Sequence, residues 1–274
     1  MSVVSASLGR RFVAVAALAA IVASAAAAHT SYILPNVFST STGRMVTVQS
    51  AFAEDFFNPD VAVESEYFHV VRPDGTRDEF DSHTQFRQVV ILEEALDEDG
   101  TYRLTTGPRE GRRSRMRRVD GEWRSLEFDR ETRTFIEPAP GVETAEFQTL
   151  TVADAYVTKG APTDAALAIW GEGLELRPVT HPSEIYLEDG FELELLFNGS
   201  SMAQRELHLY RADGHYETPP FHQVFRTDAA GRAHLQFDRA GVYVVMLRHR
   251  AEAPADAATP YRSYTTSLTF EVVL

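Results

Sequence analysis

The stretch FHQVFRTDAAGRAHLQFDRAGVYVVMLRHR (Phe221–Arg250) decides the fold class, because short apolar runs alternate in it with turn residues. In RAHLQF (residues 232–237) every second residue is apolar, a period of two that predicts a half-buried strand and places His234 and Gln236 towards solvent. DAAG (residues 228–231) is typical of the turn that joins two strands. The stretch therefore predicts antiparallel strands joined by short turns.

The same pattern continues on both sides of this stretch. It is seen in MVTVQSAFA (Met45–Ala53), in FELELLFNG (Phe191–Gly199) and in YTTSLTFEVVL (Tyr264–Leu274), while Asp120-Gly121 marks a hairpin. No long segment has the apolar spacing of a helix. We expect an all-β protein of two antiparallel β-sandwich domains, the second immunoglobulin- or transthyretin-like.

A change in composition suggests where the two domains meet. The segment APTDAALAIWGEG (residues 161–173) is rich in Ala, Gly and Pro and lacks strand alternation. We therefore expect an N-terminal β domain over residues 29–165 and a C-terminal β-sandwich domain over residues 166–274.

The first 28 residues have the features of a secretory signal. Arg10 and Arg11 precede an uncharged apolar run that ends in alanines, with Ala26 and Ala28 at the two small positions before the expected cleavage site. No later segment is apolar enough to span a bilayer. The sequence predicts a signal peptide over residues 1–28, a periplasmic mature protein and no direct membrane insertion after cleavage.

The charge of the mature chain excludes some classes of partner. The full chain has 26 basic and 40 acidic residues, so removal of Arg10 and Arg11 leaves 24 − 40 = −16. Such an acidic surface disfavours nucleic acid and attracts cations. The chain has no cysteine, so a metal site must use histidine, carboxylate, methionine or backbone ligands.

His29 is distinguished among the nine histidines by its position at the expected cleavage site. Cleavage after Ala28 would free its α-amine, whose unperturbed pKa is roughly 8. The amine and the imidazole could then close a chelate ring on Ni, Cu, Co or Zn. The alternative is that His29 is an ordinary polar residue at the start of the first strand.

A register argument adds carboxylates to this site. If HTSYILPNVFS and RMVTVQSAFAED form an antiparallel hairpin in which Ser39 faces Arg44, paired residue numbers sum to 83. His29 then faces Glu54, next to Asp55, at a cross-strand Cβ distance of roughly 5 Å. We expect Glu54 or Asp55 to complete a site of nitrogen and oxygen ligands. Pro35 requires an edge position or a bulge for the first strand.

The segments HTSYILPNVF, AEDFF, GLELRPVTHP, RTDAAGRAHLQFDRAGVYVV and YTTSLTFEVV together resemble an exported bacterial family known as a domain of unknown function and grouped with periplasmic components of nickel and cobalt uptake. The resemblance implies a periplasmic, all-β, two-part protein. It also implies that a divalent transition metal binds near the N-terminus and passes to a transporter. His29 is carried over as the metal ligand, and His181 matches the family's His-Pro element and joins the candidate metal ligands.

The expected function is therefore a non-enzymatic, periplasmic binding protein for nickel or cobalt, with iron or copper as alternative ions. Its partners would be the metal ion and a membrane transporter or outer-membrane receptor. One rival is a metal-free β-sandwich module that docks to a receptor or a surface glycan. Another is a copper oxygenase in which His69 or His249 joins His29. We find no nucleophile elbow, phosphate loop or dinucleotide fingerprint.

Overall fold

The computed structural model describes residues 29–129 and 131–274, and strands dominate them. These residues also contain two short 3-10 turns, Ala165–Leu167 and Gly214–Tyr216. No helix in this part of the chain is long and apolar enough to cross a membrane. The expected all-β fold is confirmed, whereas the predicted signal segment, residues 1–28, lies outside the described residues.

The N-terminal part of the chain contains short strands joined by turns. These are β1 (Thr30–Pro35), β2 (Ser39–Thr40), β3 (Met45–Ala53), β4 (Val61–Ala62), β5 (His69–Val71), β6 (Arg77–Asp78), β7 (Ser82–Gln85), β8 (Val90–Ala95), β9 (Gly100–Thr105), β10 (Arg109–Val119), β11 (Glu122–Ser125), β12 (Phe128–Asp129) and β13 (Thr134–Phe135).

The second group begins with the longest strand and runs to the C-terminus. These are β14 (Thr144–Lys159), β15 (Leu174–Pro178), β16 (Phe191–Phe197), β17 (Ser200–Ser201), β18 (Glu206–Arg211), β19 (Gln223–Arg226), β20 (Arg232–Leu235), β21 (Gly241–Glu252) and β22 (Tyr261–Val272).

The first strand lies at the edge of a small sheet of order β1-β3-β8-β7, in which β4 also pairs with β3. Pro35 lies in β1 opposite Val48. Because proline has no N–H to donate, it fits a strand with one unpaired edge. The edge position expected from Pro35 is confirmed.

One large sheet joins the two parts of the chain. Its order is β19-β18-β21-β22-β14-β9-β5-β6, with β2 and β10 also on β14 and β11 on β10. Most neighbours are antiparallel, but β14 and β22 are parallel from Phe147–Tyr261 to Ala155–Thr269. The expected boundary at residues 165 and 166 falls in the first 3-10 turn, and this sheet runs across both sides of it.

Two smaller sheets cover opposite faces of the large sheet, as the alternation along β14 indicates. Ala153, Ala155 and Val157 pack in one core with β1, β3 and β8. Tyr156 points the other way, into a second core that includes Phe191 and other residues of the sheet formed by β15, β16, β17 and β20. The molecule therefore has three β layers, with separate hydrophobic cores on the two sides of the shared sheet.

The hairpin expected at Asp120-Gly121 is present between β10 and β11. Both turn residues have positive φ, +52° for Asp120 and +83° for Gly121. Two successive residues with positive φ suit the twist of a tight hairpin, which explains why Asp-Gly stands there.

Candidate functional site

His29 lies immediately before β1, in the register expected from the sequence. β1 pairs with β3 from Thr30 opposite Ala53 to Pro35 opposite Val48, so every pair sums to 83. One further step along this ladder places His29 next to Glu54. The predicted register is confirmed for residues 30–35. The assumed contact of Ser39 with Arg44 is wrong, because Ser39 belongs to β2 and pairs with Thr158 of β14.

A loop after β3 brings a second carboxylate to the histidine. The backbone N–H of Asp60 donates to the carbonyl of Phe52 at 2.9 Å, and the N–H of Glu54 donates to Asp60 Oδ2 at 2.9 Å. These bonds fold residues 54–60 back on the strand end. Asp60 therefore stands beside His29 although it is six residues beyond Glu54.

The His29 ring lies between the two carboxylates. Its Nδ1 is 3.8 Å from Glu54 Oε1, and its Nε2 is 3.5 Å from Asp60 Oδ2. The exposed fractions of the side chains are 46% for His29, 54% for Glu54 and 40% for Asp60. The site is open to solvent, and an ion can reach it without any movement of the core.

The two ring nitrogens of His29 have different neighbours, and this matters for metal binding. Chelation by an N-terminal histidine uses the α-amine and Nδ1, because only these two nitrogens close a six-membered ring on one ion. Nδ1 is the nitrogen that faces Glu54, so amine, imidazole and carboxylate can converge there. Nε2 faces Asp60, which can hold the ring's orientation as carboxylates do behind metal-ligating histidines.

No three His, Asp or Glu side chains within residues 29–129 and 131–274 are arranged to hold a metal ion as they stand. The His29 cluster supplies one imidazole and one carboxylate on the Nδ1 side, so a further donor is required. The α-amine of a chain processed after Ala28 would be that donor.

The other two candidate ligands lie in different surroundings. Asp55 is exposed, and its backbone carbonyl accepts the N–H of Asn58 at 2.8 Å within the loop. His181 Nδ1 is 2.7 Å from Ser183 Oγ, and its Nε2 is 3.2 Å from Thr101 Oγ1. Both ring nitrogens of His181 therefore have hydroxyl neighbours, and the structure groups His181 with Thr101 rather than with His29.

The histidines considered as copper partners of His29 also have other neighbours. His69 packs edge-on against Trp170, with ring centroids 5.5 Å apart, and His249 packs edge-on against Phe197 at 4.8 Å. Burial lowers the pKa of both imidazoles.

Sequence reasoning missed Asp60. The strand register predicts only the residues at the strand end, whereas Asp60 depends on how the Glu54–Asp60 loop folds back. The one signal in the sequence was that EDFFNPD ends in an acidic residue, Asp60. Its position next to His29 could not be predicted without the backbone hydrogen bonds of the loop.

A second candidate site is a cleft of about 870 Å³ on the other face of the large sheet. Arg103 and Asp154 form an ion pair of 2.5 Å in its wall, and both are almost fully buried. Glu175 accepts the backbone N–H groups of Trp170 and Gly171 at 2.7 and 2.9 Å. Burial raises the pKa of the Glu175 carboxyl.

Several buried polar atoms that line this cleft lack a hydrogen-bond partner in the part of the chain that the structure describes. They are His69 Nε2, Arg103 Nε and Asp154 Oδ1. His69 Nδ1 lies 2.8 Å from the carbonyl oxygen of Tyr67, so Nδ1 is the donor and Nε2 is left as an acceptor when the ring is neutral. Buried polar groups without partners are costly, and a polar ligand in the cleft would satisfy them.

The indole of Trp170 fixes the rim of the cleft. The Arg77 guanidinium carbon lies 3.8 Å from its ring centroid and that of Arg103 lies 4.4 Å away. These cation–π contacts hold charged and aromatic groups together at the mouth of the cleft.

Comparison with known proteins gives one family. The model of the family described as "Domain of unknown function (DUF4198)" matches residues 26–251, which is more than half of the chain. No curated protein matches the chain.

Proposed function

We propose that this chain, which belongs to the DUF4198 family, is a non-enzymatic periplasmic protein that binds a divalent transition-metal ion, nickel or cobalt, for uptake. Its ligands are the α-amine and Nδ1 of His29 after cleavage behind Ala28, together with Glu54. The ion is cargo, and a membrane transporter or outer-membrane receptor receives it.

The observation that carries the proposal is the position of the His29 ring between two carboxylates. Its chelating nitrogen, Nδ1, faces Glu54, and its other nitrogen faces Asp60. Two nitrogens and one oxygen form a donor set that suits Ni and Co better than Mg or Ca, which prefer oxygen ligands alone. The excess of acidic residues, 40 against 26 basic ones, attracts cations.

The exposure of the site agrees with a delivery role. A ligand set of three leaves further positions on the ion to water or to groups of a receiving protein. Because His29, Glu54 and Asp60 are each about half exposed, a partner can approach the bound ion directly. A buried cage would instead hold the ion and slow its release.

The test uses protein exported and processed by a bacterial host. Intact mass gives the first residue of the mature chain, and calorimetry with nickel, cobalt, copper and zinc gives stoichiometry and affinity. The matched variant carries one additional alanine before His29, which moves the amine away and leaves every side chain in place. We expect the mature protein to begin at His29 and to lose nickel and cobalt binding at this site when the alanine is added.

Two results would contradict the proposal. One is a mature N-terminus at another residue, and the other is equal nickel affinity for the protein with and without the additional alanine. Glu54→Gln separates the contribution of the carboxylate, because it removes the charge and preserves the size of the side chain. It should weaken nickel binding without changing the stability of the fold, since Glu54 is exposed.

The cleft supports a second candidate function, a binding module for a small polar ligand such as a sugar residue of a surface glycan. His69 Nε2 and Asp154 Oδ1, which are buried without a partner among the described residues, offer acceptors to hydroxyl groups, and Trp170 lies at the rim of the cleft. Trp170 fluorescence in a Trp123→Phe background, titrated with mono- and disaccharides, tests it. A saturable change that Asp154→Asn abolishes would support sugar binding, whereas no change across the sugars would count against it.

A further inference from the structure

A pair of histidines lies at the β18–β19 edge of the large sheet. In β18 the side chains of Leu207 and Leu209 enter the core, so His208 and Tyr210 project from the opposite face. This is the face that also carries the β1–β3 sheet. His222, just before β19, folds over it so that His208 Nδ1 and His222 Nε2 are 3.0 Å apart.

The two imidazole rings lie nearly parallel to each other. The ring planes of His208 and His222 differ by 9°, and His222 stacks on Tyr210 with ring centroids 4.8 Å apart. Because the nitrogens of the two rings face each other, one must carry a hydrogen and the other a lone pair. Stacking on the Tyr210 ring restricts the orientation of the His222 ring.

The separation of the two nitrogens matches that of two ligands on one ion. With metal–nitrogen bonds of about 2.0 Å, two nitrogens at the tetrahedral angle that suits a d10 ion are about 3.3 Å apart. The observed 3.0 Å is close to this value. A modest tilt of the two rings would direct both lone pairs to one ion, and the shared hydrogen would pass to the far nitrogen of its ring, so no net proton is lost.

A sulfur donor lies next to this pair. Met246 stands directly opposite His208 in the β18–β21 ladder, and side chains in such pairs share one face of the sheet with Cβ atoms roughly 5 Å apart. A thioether is a soft donor that favours monovalent copper.

We propose that His208, His222 and Met246 form a second metal site, distinct from His29, which binds copper in its monovalent state. The two sites are neighbours on one face of the sheet. Phe56, from the loop between Glu54 and Asp60, packs against Tyr210 with ring centroids 5.2 Å apart. The donors differ, however, since the ligands of the second site are imidazole and thioether groups.

A two-by-two design separates the sites. Four proteins are compared: the processed protein, the variant with one additional alanine before His29, His222→Gln, and the combination of both changes. Each is titrated anaerobically with monovalent copper in the presence of ascorbate, in competition with a chromophoric copper(I) chelator. We expect the additional alanine to leave one equivalent of tightly bound copper and His222→Gln to remove that equivalent. Nickel binding at His29 should be unchanged in His222→Gln.

Further variants identify the donors. Met246→Leu, which preserves volume, should weaken the binding of monovalent copper and remove the copper–sulfur signal from the X-ray absorption spectrum. His234→Gln, a change at an exposed histidine on the opposite small sheet, is the matched control and should change nothing. His222 is exposed, so its substitution should leave the thermal unfolding temperature unaltered.

The proposal is overturned if the variant with the additional alanine binds no monovalent copper, or if His222→Gln and the unmodified protein bind it alike. It is also overturned if the additional alanine and His222→Gln each abolish nickel binding, because the two histidines would then belong to the His29 site.

Discussion

Asp60 should increase the affinity of the His29 site although it is not one of the proposed ligands. Asp60→Asn keeps an oxygen near the backbone N–H of Glu54 but removes the negative charge 3.5 Å from His29 Nε2. When an ion binds Nδ1, its charge spreads over the imidazole, and Asp60 stabilises that state. The variant should therefore bind nickel more weakly.

The size of the effect follows from distance and exposure. Two unit charges 3.5 Å apart interact by about 1 kcal/mol in the dielectric of water, and this limit applies because both side chains are more than a third exposed. A loss of about 1 kcal/mol lowers the affinity roughly fivefold. Substitution of the carboxylate that is hydrogen-bonded to a metal-bound histidine commonly lowers the metal affinity about tenfold to a hundredfold. We therefore expect a fall in nickel affinity near the lower end of that range.

The assay is nickel calorimetry at pH 8 on the processed protein, with Asp55→Asn as the matched control. Asp55 lies in the same loop, carries the same charge and is exposed, so its substitution changes the net charge equally without changing the contact with Nε2. Asp60→Asn should weaken binding and Asp55→Asn should not. Equal losses in both variants would mean that net charge alone acts, and no loss in Asp60→Asn would refute the role assigned to it.

Three further predictions concern stability, measured by denaturant unfolding. Asp154→Ala leaves the Arg103 guanidinium buried without its partner, and should lower the free energy of unfolding by about 3–5 kcal/mol; a loss below about 1 kcal/mol would show that water replaces the carboxylate. Glu94 is fully buried, and this burial raises its pKa from 4.5 to about 7. The native state therefore binds more protons than the unfolded state between these values, so stability should fall as the pH rises from 4.5 to 7, by up to roughly 3 kcal/mol. Glu94→Gln should remove that part of the pH dependence, and an unchanged profile would contradict the assignment. Gly107 has φ +62°, and a Cβ there would meet the carbonyl oxygen of Tyr67, so Gly107→Ala should cost more than about 1 kcal/mol; an unchanged midpoint would mean that the backbone relaxes.

Local pattern was sufficient to predict the strands and one part of the site. The alternation in RAHLQF and the turns at Asp120-Gly121 and at residues 228–231 are set by neighbours within a few residues, and the structure has strands and turns there. The β1–β3 register could also be predicted, because a slip of one residue would expose side chains of the buried face, although the connection of residues 36–44 is longer than expected and contains β2.

The tertiary structure decided which distant segments of the chain contact one another. The parallel pairing of β14 with β22 joins residues more than 100 positions apart, and no local period encodes it. Asp60 reaches His29 only through the fold of a loop. His208 meets His222 because the chain returns after the 3-10 turn Gly214–Tyr216 to pair β19 with β18.

The sequence by itself therefore determined that the chain is all β, that it is acidic and free of cysteine, and that His29 lies beside Glu54. Only the tertiary structure decided that one sheet runs through both parts of the chain, and that Asp60, the His208–His222 pair and the Arg103–Asp154 cleft exist. The physical reason is that alternation and turn chemistry act over a few residues, whereas these contacts depend on which faces of three stacked layers meet.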